Sequence, residues 1–192
     1  MCIFCSFDNS KVENTIIEET ENFYVLPAVG SLVDGYLLIV SKRHVNSMAD
    51  LNDVETSEYI GLIDKYRNKF FKIYQKSPIV FEHGTPIVAS SNKTSSVYHA
   101  HTHIVNHNFK DEKSIISELK FKKINNVTHI VNDKNYISYI NPLGINMVSY
   151  KFPSISQLMR KYIACDLGMD DKYSWRDFDF MNNIILTIDK FK

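Results

Sequence analysis

The chain has 192 residues, 44% of them apolar and 23% charged, which suits a folded protein with a sizeable core. Lysine plus arginine equals aspartate plus glutamate, 22 each, so broad, sequence-independent nucleic-acid binding, which wants a basic excess, is not expected. No apolar run approaches the roughly 20 residues of a membrane helix, and Met1-Cys2-Ile3-Phe4-Cys5 lacks the basic leader of a secretory signal. A cytoplasmic protein without membrane contact is expected, its three cysteines reduced.

Taken in order, Cys2 and Cys5 form a Cys-x-x-Cys. That spacing suits two of the four ligands of a tetrahedral zinc, but alone it is a weak signal beside two free thiols, one of them packed as a small hydrophobe. A redox pair is disfavoured, because nothing places it between a strand and a helix start. Residues 11–21 are polar and acidic. Phe23 to Leu26 reads as a short strand stopped by Pro27, and residues 28–35 as a long turn whose glycines can take positive φ. Tyr36 to Val40 is a continuous apolar run, as in a strand well inside a sheet. His44 follows it, as a ligand or as a solvated loop histidine. Residues 50–75 form the clearest helix, with Asp50 or Asn52 able to cap it. Its stripe is Ile60, Ile63, Tyr66, Phe70 and Ile73, and Glu58, Lys65, Arg67, Lys69 and Lys72 are assigned to the solvated face. Residues 78–82 are another strand, ending in Glu82-His83-Gly84. Thr85 to Ser95 is a polar loop of the kind that holds phosphates through N–H groups and hydroxyls, or simply connects. Beyond 106 a charged helix, a β-hairpin over 136–150, a helix from Ser156 towards Gly168 and a last amphipathic stretch over Ile184–Phe191 complete the chain.

The stretch that demands a chemical reason is Ser95-Ser96-Val97-Tyr98-His99-Ala100-His101-Thr102-His103-Ile104-Val105. It holds three of the chain's seven histidines within five residues. In a strand, alternate side chains share a face, so the three imidazoles point the same way. Neighbouring Cα atoms on that face lie about 6.6 Å apart and the three span about 13 Å, which strains a mononuclear zinc held by all of them. Neutral imidazole is a good nucleophile, and the middle position, flanked on both sides, suits attack on phosphorus. The bland alternative is a solvated polar face on an edge strand.

His99-Ala100-His101-Thr102-His103-Ile104-Val105 resembles the signature of the histidine triad (HIT) superfamily of nucleotide hydrolases and transferases. Ser96-Val97-Tyr98 is similar to that family's phosphate-contacting turn, and Gly35 to His44 to its second-strand segment. Many bacterial members share the N-terminal Cys-Ile-Phe-Cys. The resemblance implies an α+β fold: an antiparallel sheet of about five strands with a long helix packed on it. Here that forms a catalytic domain over 1–108, with an α/β extension over 109–192 packed against it. It implies His101 as nucleophile, His103 as the partner bonding the transferring phosphoryl group, and His99 as the third triad member. Ser96, with Ser95 and the backbone of the loop, would contact phosphate. It further implies a structural zinc on Cys2, Cys5, His44 and His99, a small nucleotide or phosphate compound as ligand, and a homodimer.

The departures are as informative. Ala28 stands where many members carry the Asp or Asn that holds the ribose, and Ser41 where a proline is usual. Glu82 stands at the position of a phosphate-contacting amide, where a carboxylate needs a proton or a partner such as Lys93 or a tail arginine. Arg160 or Arg176, from the tail, is expected to reach the site or else to form an interdomain ion pair. Two rival functions stay open: a zinc-activated hydrolase, and a nucleotide-binding module with little turnover.

Overall fold

The computed structural model describes residues 2–6, 8, 10–86 and 97–192. Its centre is β3 (Tyr36–Ser41), buried at every position, as an unbroken apolar run requires when both faces of a sheet are covered. Around it lies one antiparallel sheet in the order β1-β2-β3-β5-β4-β7-β8-β6. The remaining strands are β1 (Glu18–Glu19), β2 (Phe23–Pro27), β4 (Ile79–Gly84), β5 (His101–Val105), β6 (Lys122–Lys123), β7 (Tyr136–Ile140) and β8 (Asn146–Ser149).

The expected sheet of about five strands is therefore corrected to eight. Residues 18–105 supply the first five, and the hairpin of the extension pairs its β7 with β4 from Val80↔Ile140 to Gly84↔Tyr136. The reason is the open backbone of β4, whose unpaired N–H and C=O groups need partners. With β5 on one side and β7 on the other, β4 has no edge open to a second copy, and the strands left at the two ends of the sheet are two residues long.

Side-chain parity divides the sheet into two faces. Leu37, Ile39, Val80, Ala100 and Ile104 pack against α1 (Asp53–Tyr74), through Tyr59, Leu62, Ile63, Tyr66 and Phe70. Asn52 caps α1 in a reciprocal capping box with Glu55, which fixes where the helix starts. Helix α4 (Met181–Phe191) adds Phe191 to that layer, against Tyr66 and Phe70. Tyr36, Leu38, Val40, Phe81 and Val105 face the other way and meet Leu158, Met159, Ile163 and Ala164 of α3 (Leu158–Asp166). Helix α2 (Glu112–Glu118) and Leu119 close that layer further along. Arg67 is not solvated as expected: it donates to the carbonyls of Pro78, Asn141 and Pro142 and pins the hairpin to α1.

The α1 side buries Glu82, which is only 1% exposed. Its carboxyl accepts from the Met48 N–H at 2.7 Å and from the Tyr136 hydroxyl. Burial pushes its pKa up to about 8, against the two hydrogen bonds that favour the anion. The unfolded chain releases that proton near the ordinary value of about 4.3. Between these values the folded state binds the extra proton, so this contribution is complete in acid and is lost as pH rises towards 8. Glu82→Gln is expected to remove that slope. Urea midpoints of wild type and variant, followed from about pH 5 to pH 8, should converge or cross as pH rises; parallel curves would contradict the assignment.

Candidate active site and metal centre

Strand β5 begins at His101, and residues 97–99 form a bend before it. The bend turns His99 out of line with the other two histidines. His99 Nε2 meets the Ser41 carbonyl at 2.6 Å, and a carbonyl only accepts, so Nε2 carries the proton. Nδ1 is left as a lone pair, 3.3 Å from Cys2 Sγ and 3.5 Å from Cys5 Sγ. His44 Nδ1 lies 3.1 Å from Cys5 Sγ. One potential ligand atom from each of Cys2, Cys5, His44 and His99 falls within 4.8 Å of all the others.

Two sulfurs and two imidazole nitrogens at this mutual spacing fit a four-coordinate tetrahedral metal, zinc in particular. The Ser41 carbonyl behind His99 is the outer partner that such a ligand needs, fixing both tautomer and ring plane. Both nitrogens of His99 are engaged, Nε2 on the Ser41 carbonyl and Nδ1 beside the cysteine sulfurs, so its geometry fits the metal cluster better than a part in the chemistry.

His101 and His103 do share a face in β5, ring centroids 5.0 Å apart. His101 Nδ1 lies 2.7 Å from the His99 carbonyl. By the same logic Nδ1 carries the proton and Nε2 keeps its lone pair. Burial pushes this imidazole down to about 4, which keeps it neutral. His103 stacks on Phe81 at 4.6 Å and 12°, and its Nδ1 sits 3.0 Å from the Tyr36 hydroxyl. Burial, then His101 and Arg160, hold His103 well below the ordinary imidazole range.

Both histidines open onto a cleft of about 400 Å³. Its walls come from three parts of the chain: the N-terminal segment with Ile3 and Phe4, the end of β2 through Val29, and the extension with Gln157, Leu158, Met159, Arg160 and Trp175. Phe4 packs on His101 at 5.3 Å and on His99 at 5.6 Å, so one side chain of the Cys-x-x-Cys touches both centres.

Glu82 is a second correction. Parity sends it to the α1 face, away from the cleft, where Met48 and Tyr136 hold it. Its neighbour His83 lines the cleft instead, with burial and His101 pushing it down to about 4. Ala28 lines the cleft as expected. Arg160 lines it too, whereas Arg176 is exposed and stacks on Trp175 at 4.7 Å. Ser95 and Ser96, with Lys93, lie outside the described residues. Sequence reasoning missed Phe4, Tyr36 and His83. The signal for His83 was available, since Ile79, Phe81 and His83 alternate on one face.

The family described as scavenger mRNA decapping enzyme C-term binding matches residues 1–118, more than half of the chain. The chain belongs to this family, within the histidine triad superfamily. No curated protein matches it. Among solved structures, this histidine triad chain is similar to a hypothetical histidine triad nucleotide-binding protein from Sulfolobus tokodaii strain7, at 18% identity and a TM-score of 0.44, covering 54% of this chain and 67% of that one. A hypothetical protein from Leishmania major gives 22% identity and a TM-score of 0.46, covering 58% and 75%. A Zn-bound histidine triad family protein from Mycobacterium smegmatis gives 19% and 0.41, covering 58% and 78%. Among the described residues no helix is long and apolar enough to cross a membrane.

Proposed function

We propose that this protein is a phosphohydrolase or nucleotidyltransferase that cleaves a phosphate ester, anhydride or amidate, of a nucleotide, through a covalent phosphohistidine at His101. The observation that carries the reading is the 2.7 Å bond from His101 Nδ1–H to the His99 carbonyl. It leaves Nε2 as a neutral, oriented nucleophile on the cleft. Nε2 attacks phosphorus, the N–P bond forms, and the bond from phosphorus to the leaving group breaks; the leaving group takes the electron pair and is protonated by solvent, while the phosphoimidazolium keeps its Nδ1–H. Water or another acceptor then attacks the phosphorus and gives a proton to solvent, the N–P bond breaks with its electron pair returning to Nε2, and the imidazole is again neutral. Two displacements replace one difficult one.

His103 is the supporting donor. With the Tyr36 hydroxyl donating to Nδ1 across 3.0 Å, Nε2–H is free to bond a phosphoryl oxygen as charge develops. The family's name refers to mRNA decapping, which supports a nucleotide anhydride as the first class to test. Cys2, Cys5, His44 and His99 would hold a structural zinc. Four protein ligands would close its shell, so its contribution is to cross-link the N-terminal wall to the end of β3 and the bend before β5. That closure favours the histidine mechanism over zinc-activated hydrolysis. The homodimer implied by the resemblance would have to form away from β4, whose outer edge β7 occupies.

The test is stereochemical. A substrate chiral at the attacked phosphorus, made with sulfur and isotopic oxygen, should give product with overall retention, because two inversions cancel. Inversion would mean direct attack by water and would overturn the covalent route.

A further inference from the structure

Arg160 sits in the first turn of α3 and is 3% exposed. Nε donates to the Tyr173 carbonyl at 3.0 Å and Nη2 to the Gly30 carbonyl at 2.6 Å. Its Cζ stands 5.4 Å from the centre of the Tyr36 ring. These contacts fix the plane of the guanidinium at the cleft wall. Gly30 is part of the fit: it adopts φ +70, and a Cβ there would fall 2.9 Å from Arg160 Nη2 and 2.7 Å from Trp175 Cα.

What the side chain lacks is a counter-charge. Among the described residues no carboxylate lies within 4.0 Å of it, and the residues outside that set include no aspartate or glutamate. Two main-chain carbonyls take two of its five N–H groups. A buried cation without an anion is costly, and the planar array of donors matches the oxygens of a phosphoryl group. Asp8 and Glu13 line the same cleft together with Lys11, yet neither carboxylate pairs with Arg160, so the guanidinium is left to an anion that enters the cleft.

Its place in the cleft says which anion. Tyr36 stands between Arg160 and the histidines and touches both: its hydroxyl meets His103, and Arg160 lies against its ring and beside its hydroxyl. We propose that Arg160 is a substrate-binding residue that takes a second phosphoryl group, distinct from the one attacked by His101, and so selects compounds with at least two linked phosphates. The assignment of the attacked group rests on the reading of His101 given above. The extension thereby completes the site, and its helix α3 sets the substrate class.

The experiment compares inorganic pyrophosphate with inorganic phosphate as probes, on the zinc-loaded full chain. Binding is followed by calorimetry and by the rise in thermal midpoint that each anion causes. Wild type should bind pyrophosphate at least about ten times more tightly than phosphate. Arg160→Met should lose about 10- to 100-fold in pyrophosphate affinity, as expected for charged hydrogen bonds, with little change for phosphate. Arg160→Lys keeps the charge and loses the planar array, and should retain part of the preference; if the methionine variant does not fold, the lysine variant decides. An arginine serving only to hold Gly30 and Tyr173 would lower the starting midpoint and leave the anion-induced rise unchanged. That result, or a wild type indifferent to the second phosphate, would overturn the proposal. The same titration on His101→Asn should keep the pyrophosphate preference, so this test stands or falls apart from the identity of the nucleophile.

Discussion

His101→Asn is expected to lower turnover by a factor on the order of 10⁴ to 10⁶ while the protein stays folded. On the proposed route Nε2 of His101 is the attacking atom, and the geometry offers no substitute. His103 engages Tyr36 through Nδ1 and lies beside the attacked group. His99 has both nitrogens engaged, one on the Ser41 carbonyl and one on the cysteine sulfurs. His83 lies one strand further across the sheet, its ring against Phe152 at 5.1 Å. The fold survives because His101 is only partly buried and makes one hydrogen bond to main chain, which an asparagine amide can replace. Steady-state rates on a panel of nucleoside phosphoramidates and dinucleoside polyphosphates, with far-ultraviolet circular dichroism as the control, check both halves. Wild-type turnover in the variant would remove His101 from the mechanism.

Cys5→Ser carries the second large effect. It takes one sulfur from the four-atom cluster, and serine is a poor zinc ligand in its place. Zinc content should fall from one per chain to near none. The N-terminal segment then loses its tether, and with it the cleft wall that contains Ile3 and Phe4. The contact of Phe4 with His101 at 5.3 Å is lost at the same time. Catalytic efficiency should drop about 10- to 100-fold, the usual cost of disturbing the groups that orient a site. The thermal midpoint should fall by roughly 5 °C or more, given about 2–4 °C per kcal/mol for a chain of this length. A catalytic metal predicts otherwise: turnover lost entirely, with the midpoint unmoved. Atomic emission for zinc, a melting curve and kcat/KM on one preparation separate the two.

Much of the site was legible because its signals are local. His99, His101 and His103, the Cys2–Cys5 spacing, and His44 after an apolar run are each confined to a few residues. So is the capping pair Asn52 and Glu55 that starts α1. What escaped depends on register and on contacts far apart in sequence. Glu82 and His83 are adjacent; alternation groups His83 with Ile79 and Phe81, and the pairing Phe81↔His103 is what makes that face the cleft's. The strand pairing of β4 with β7 joins residues more than fifty positions apart, and two-residue strands such as β1 and β6 are too short for any periodicity to show. Arg160 was visible as a basic residue in the tail. Its approach to Gly30, across 130 positions, is a product of the fold.

The central claim is that phosphorus becomes bonded to His101. Acid-avoiding quench of the enzyme within one turnover, followed by proteolysis and mass spectrometry, reads this directly. The account predicts a nucleotidyl or phosphoryl mass on the peptide containing residues 99–105, localised to His101 and absent from His101→Asn. An unmodified peptide during active turnover, or the mass on another side chain, would contradict it.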